Sequence, residues 1–141
     1  YYGDRLGEGF FLMEGAIETL EVLHGRYRLH VASNGIAETQ HSRLAGAGLE
    51  KYFENVFISQ EIGYAKPDRR FFEHCFAAID DFEKSAAVII GDSLSSDILG
   101  GRNAGIATVL VSACPPPSDA PALPDERISS LRELPDLLEK L

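Results

Sequence analysis

Val88-Ile89-Ile90-Gly91-Asp92-Ser93-Leu94-Ser95-Ser96-Asp97 is a short apolar run that stops at a glycine and then presents two carboxylates five positions apart. The β-branched residues suit a strand buried in a parallel sheet, and Gly91 lets the backbone turn as Asp92 emerges at the strand's carboxyl end. Ligands of open α/β sheets bind at that edge. Ser95 or Ser96 is expected to cap the helix that follows, with Asp97 in its first turn, where a negative side chain is favoured by about 0.3–1 kcal/mol. Such a stretch reads as a cation and phosphate site. Ordinary capping would use the same residue types, so the reading depends on what other strand ends supply.

Strands and helices alternate on either side of this run. Residues 14–24 place Ile17, Leu20 and Leu23 at helical spacing, with Gly25 as the stop. Residues 28–33 read as a strand, and Asn34-Gly35 leads into a helix carrying Ile36 and Leu44 that ends near Gly46 or Gly48. Residues 55–59 give another strand, and 61–66 an irregular link. Pro67 is expected in the first turn of a helix whose stripe is Phe71, Phe72, Cys75, Phe76 and Ile79. After the strand at 86–91, a helix containing Gly100 and Gly101 closes near Gly105, and its paired glycines predict close backbone approach to the sheet. Residues 107–112 form a further strand. Residues 114–126 are a proline-rich surface loop, and Leu131, Leu134, Leu137, Leu138 and Leu141 mark a final core helix. The alternation implies an α/β fold, a doubly wound parallel sheet of Rossmann-like form, in a single domain over residues 1–141.

Composition narrows the function. The 13 Lys and Arg against 22 Asp and Glu give a net charge of −9, which argues against a nucleic-acid polymer as partner, because such binding needs clustered cations. No apolar run is long enough to span a bilayer, so no membrane role is expected. Cys75 and Cys114 show neither zinc nor redox spacing, and reduced thiols in a cytoplasmic protein are expected. His24, His30, His41 and His74 lack metal spacing and are assigned to packing or surface.

Three strand ends offer polar groups to one edge. Ser33 brings a hydroxyl, and the amides of Asn34 and Gly35 open a helix whose N-terminus attracts an anion. Lys66 is a cationic point donor, suited to a phosphate or a carboxylate. Asp92 is a candidate Mg²⁺ ligand, since that ion takes few carboxylates and completes its shell with waters and substrate oxygens. Asp97 is expected to orient a water or Lys66.

Together these residues resemble the haloacid dehalogenase superfamily of phosphohydrolases. Val31-Ala32-Ser33-Asn34-Gly35 resembles its second motif, Tyr64-Ala65-Lys66-Pro67 its third, and Gly91 to Asp97 its fourth, in the family's order. Residues 48–53, 58–63 and 97–105 look most like nucleoside monophosphate phosphatases of the YjjG type. The resemblance implies attack by a first-strand aspartate on a small phosphorylated metabolite, with a second aspartate two positions later as acid and base, and hydrolysis of the aspartyl-phosphate. It further implies that Ser33, Asn34, Gly35 and Lys66 hold the phosphoryl group, that Lys66 and Asp97 are catalytic, and that Mg²⁺ sits on Asp92.

The family's first motif, Asp-x-Asp after an apolar strand, has no match here. Asp4-Arg5 follows no apolar strand, and Asp80-Asp81 comes after the third motif. The sheet is therefore expected to be incomplete, with nucleophile and cap upstream of Tyr1 and residues 1–12 forming the return from the cap. About ten ladder groups left unpaired at 1–3 kcal/mol each would match or exceed a typical stability of 5–15 kcal/mol. An upstream segment, a strand swapped from a second copy, or direct pairing of the flanking strands is expected to close the gap, so a strand-swapped or edge-paired homo-oligomer is envisaged. The isolated chain is expected to be inactive.

Three alternatives have their own signatures. A phosphorelay receiver places its acidic residues first and Lys-Pro last, the reverse of the order here. A 2-haloacid dehalogenase carries Ser-Asn where this chain has Gly91-Asp92. A noncatalytic interaction module would keep the sheet without an upstream Asp-x-Asp pair.

Overall fold

The computed structural model describes residues 4–7, 16–48 and 50–140. Six parallel strands form one sheet: β1 (Asp4–Gly7), β2 (Arg28–Ser33), β3 (Asn55–Ile58), β4 (Val88–Gly91), β5 (Ala107–Val111) and β6 (Glu126–Ile128), in spatial order β3-β2-β1-β4-β5-β6. The helices are α1 (Ala16–Leu23), α2 (Ala37–Ala47), α3 (Ser59–Ile62), α4 (Arg69–Ala78), α5 (Leu99–Ala104) and α6 (Leu134–Lys140). None of them is long and apolar enough to cross a membrane.

The two faces of the sheet carry separate cores, as period-2 alternation in a doubly covered sheet requires. Leu29, Val31, Val88, Ile90, Val109 and Val111 pack against Leu20 and Leu23 of α1 and Leu134 and Leu138 of α6. Their intervening neighbours Ala32 and Ile89 meet Phe71, Phe72 and Cys75 of α4 and Ala104 of α5. Gly100 and Gly101 explain how α5 comes so close. A Cβ on Gly101 would lie 2.6 Å from Ile89 and Thr108 of the sheet, and one on Gly100 would lie 2.7 Å from the Phe72 ring. One glycine therefore admits the sheet and the other admits α4.

The gap expected in the middle of the sheet is filled, and by none of the three routes anticipated. Residues 4–7 of the chain itself run between β2 and β4, with Arg5, Leu6 and Gly7 in register with Leu29, His30 and Val31 on one side and with Val88, Ile89 and Ile90 on the other. Part of the stretch expected as a return from a cap is therefore a strand; residues 1–3 and 8–12 of that stretch lie outside the described residues. Asp-Arg-Leu-Gly is not an apolar run, so its place follows from the two flanking strands and not from its own pattern. Among the described residues β1 bridges β2 and β4, but its four residues carry no Asp-x-Asp pair, so the core still lacks the strand that bears the family's first motif. The physical ground for a strand-swapped oligomer, an unfilled slot, is removed.

Other expectations shift locally. Asp68, not Pro67, caps α4, which begins at Arg69: the Asp68 side chain accepts from the Arg70 amide, leaving Pro67 outside the first turn, after a cis Lys66-Pro67 bond. Part of the link at 61–66 is helical, since α3 runs to Ile62. The loop expected to reach 126 gives way there to β6, a three-residue edge strand that alternation could not reveal in Glu-Arg-Ile. The last helix opens with a 3₁₀ turn, Leu131–Glu133, under a capping box of Ser130 and Glu133. The side chains of Ile17 and Leu44, and residues Leu49 and Leu141, are outside the described residues.

Candidate functional site

The carboxyl ends of β2 and β4 lie on either side of β1 and point their following loops to the same edge. β2 delivers Ser33, fully buried, whose Oγ accepts a hydrogen bond from the Gly35 amide at 3.0 Å. The loop before α4 brings Lys66 to this edge. Its Nζ donates to the Ala32 carbonyl at 2.8 Å and to Asp97 Oδ1 at 2.5 Å, with both side chains almost entirely buried. Asn34 does not merely offer an amide: its side chain bonds the backbone of Lys66 in both directions.

After β4 the chain leaves Gly91, exposes Asp92 and enters a widened π-type turn, Leu94–Ile98. The cap is Ser93, not Ser95 or Ser96, because the Ser93 hydroxyl accepts from the Ser96 amide at 3.2 Å. The Ser93 amide in turn donates to Asp97 Oδ2 at 3.3 Å. Asp97 thus accepts from both a lysine and a backbone amide, and its role as a partner for Lys66 is the one of the two expected that the geometry shows. Gly91 makes this packing feasible, since a Cβ there would lie 2.1 Å from Asp97 Oδ2.

Burial dominates the electrostatics. Loss of water pulls the Lys66 ammonium below the ordinary lysine value, with Asp97 acting against that pull. Loss of water also raises the Asp97 carboxyl, with Lys66 acting against it. The Asp92 charge adds to the upward shift of Asp97 and favours the charged form of Lys66, so it lies within electrostatic reach of both.

The structure therefore brings Ser33, Asn34, Gly35, Lys66 and Asp97 together, with Asp92 beside them and facing solvent. Asp4 is elsewhere: it pairs with Arg28 at the start of β2, five residues before Ser33, so about 16 Å of strand separates it from this edge. Sequence reasoning did not find the Asn34 bridge, the Ala32 carbonyl or Ser93. Ser93 had a legible signal, a hydroxyl three residues before a helical amide, whereas the Asn34 bridge joins residues 32 apart and leaves no local trace.

Among the described residues no group of three or more His, Cys, Asp or Glu side chains is arranged to hold a metal. Asp92 alone fits a Mg²⁺ that relies mainly on water and substrate oxygens. His30 is buried and shares a hydrogen bond with Asn55, His24 packs edge-on to Tyr52, and His41 approaches Glu61.

A family model described as haloacid dehalogenase-like hydrolase matches residues 2–111. The pyrimidine 5′-nucleotidase PynA of Streptococcus pneumoniae is 40% identical over 129 residues, covering 91% of this chain and 54% of that protein. The pyrimidine 5′-nucleotidase YjjG of Escherichia coli is 35% identical over 128 residues, covering 91% of this chain and 57% of that protein. The crystal structure of the HAD-hydrolase YfnB from Bacillus subtilis, bound to magnesium, superposes with a TM-score of 0.81 at 33% identity, covering 89% of this chain and 54% of YfnB. The chain spans about half the length of these relatives. With the family model matching well over half of its residues, this chain belongs to the haloacid dehalogenase-like hydrolases.

Proposed function

We propose that these residues are the phosphoryl-holding half of a phosphomonoester hydrolase. The observation that carries the reading is the meeting of Ser33, Lys66 and Asp97 at one sheet edge, with Asp92 exposed next to them. Ser33 and the backbone amides of Asn34 and Gly35, which lead into α2, form the anion pocket, and Lys66, held by Asp97, sets positive charge against the transferring oxygens. Asp92 would hold Mg²⁺, which offsets charge on those oxygens when bound. The magnesium bound to YfnB supports Mg²⁺ as the cation. Small phosphate esters are the substrate class, and the two pyrimidine 5′-nucleotidases among the relatives favour nucleoside monophosphates.

The covalent step needs a carboxylate level with Ser33, and neither Asp4 nor the rest of β1 supplies the Asp-x-Asp pair. Loss of a covalent nucleophile costs on the order of 10⁶ in rate. The 141-residue chain is accordingly expected to bind inorganic phosphate in the presence of Mg²⁺ and to turn over no para-nitrophenyl phosphate. Calorimetry should show phosphate binding lost in Lys66→Met and Asp92→Ala. Mg²⁺-dependent turnover by this chain, abolished by Asp92→Ala, would overturn the division of labour.

A further inference from the structure

Asn34 stands between two residues of the anion pocket, yet its side chain is committed to Lys66, 32 positions away. The Lys66 backbone N–H donates to Asn34 Oδ1 at 2.8 Å, and Asn34 Nδ2 donates to the Lys66 carbonyl at 2.9 Å. An amide is the side chain that can satisfy both, since it has one accepting oxygen and a donating nitrogen, and the two partners fix which way it faces. The far end of the same lysine is held by the carbonyl of Ala32, two residues before Asn34, and by Asp97. The end of β2 therefore grips Lys66 twice, at the root through Asn34 and at the head through Ala32. A lysine has large rotamer freedom on its four-carbon stem, and fixing its root removes part of the freedom that holding the head in place must overcome.

We infer that Asn34 is a positioning residue, its side-chain amide clamping the Lys66 peptide so that Nζ lies between Ala32 and Asp97 at the phosphate edge. The clamp rests on the Proposed function only for its consequence in phosphate binding. Aspartate separates clamping from space-filling: it has the same shape, but it sets a second oxygen against the Lys66 carbonyl where Asn34 has a donor. Alanine removes both bonds.

The test follows the Lys66 ammonium by NMR in the 141-residue chain with labelled lysine. Exchange of its Nζ protons with water is expected to speed up at least tenfold in Asn34→Asp and in Asn34→Ala, with Asp at least as severe as Ala. Gln60→Ala removes a different side-chain bond at this edge, from the Ala37 amide at 2.7 Å, and is expected to leave the Lys66 signal unchanged. The dissociation constant of inorganic phosphate with Mg²⁺ should rise at least tenfold in Asn34→Asp. Wild-type exchange in both Asn34 variants, or an equal change in Gln60→Ala, overturns the clamp; if Asn34→Asp does not fold, Asn34→Ala decides. A wild-type chain that binds no phosphate overturns the phosphate reading, and the Lys66 signal still decides the clamp.

Discussion

Lys66, from the loop before α4, and Asp97, from the π-type turn 31 residues later, meet at 2.5 Å, with essentially no side-chain surface left to water. The pair ties the start of α4 to the turn after β4. Neither charge has solvent to fall back on, so the consequences of separating them are large.

Asp97→Ala is expected to destabilise the chain by about 3–5 kcal/mol, because it leaves a buried ammonium uncompensated. Replacing both residues by apolar ones, as in Lys66→Met with Asp97→Leu, should cost less than the sum of the single changes. Urea denaturation of the two single variants and the double variant checks this.

Gly91→Ala should cost about 1–3 kcal/mol, since its methyl would collide with the Asp97 carboxylate. Added to Asp97→Ala, the same substitution should cost less, because the carboxylate atoms at 2.1 and 2.4 Å are gone and only the Cβ of residue 97, at 2.7 Å, still has to shift. Thermal melts of the pair of backgrounds distinguish this from a generic loss of glycine at a strand end.

Glu54 faces the Arg28 guanidinium through two contacts, at 3.1 and 3.3 Å, and their hydrogen bonding holds its carboxyl below the ordinary glutamate range. A carboxyl with a depressed folded pKa adds stability above its unfolded value and loses it as the pH falls through the folded one. The contribution should therefore fade below about pH 4.3. Because both side chains are partly exposed, it should not exceed about 1 kcal/mol. Stability measured against pH for wild type and Glu54→Gln should converge in acid.

Cys75 is fully buried, and burial pushes its thiol up to about 12, whereas Cys114 is exposed. A thiol-disulfide reagent at neutral pH should titrate one thiol per folded chain and two after denaturation. Cys114→Ser should leave the folded protein unreactive.

β4 and β5 were legible in the sequence because a strand covered on both faces is mostly apolar, and β2 was legible from Leu29, Val31 and Ala32 although it also buries His30 and Ser33. The meeting of the candidate residues was legible in part for a related reason: Ser33 ends such a strand, Asp92 and Asp97 follow one, and a parallel sheet carries strand ends to one edge, whereas Lys66 reaches that edge from the loop before α4 and was placed there by its motif. β1 was not legible, because Asp4-Arg5-Leu6-Gly7 has no strand pattern and its pairing is set by residues far along the chain. β6 was hidden for want of length. The capping of α4 by Asp68 escaped notice because Pro67 satisfies the first-turn rule equally well on paper, and Asn34 escaped because its partner is distant in sequence.

Among the described residues the backbone ladder joins β3-β2 to β4-β5-β6 through β1, a ribbon of four residues. The molecule thus has a seam down its middle, and any excursion that withdraws this ribbon unzips both inner margins at once. Amide hydrogens along the β1-facing margins of β2 and β4 should accordingly exchange as a single cooperative unit, although they belong to halves of the chain more than fifty residues apart.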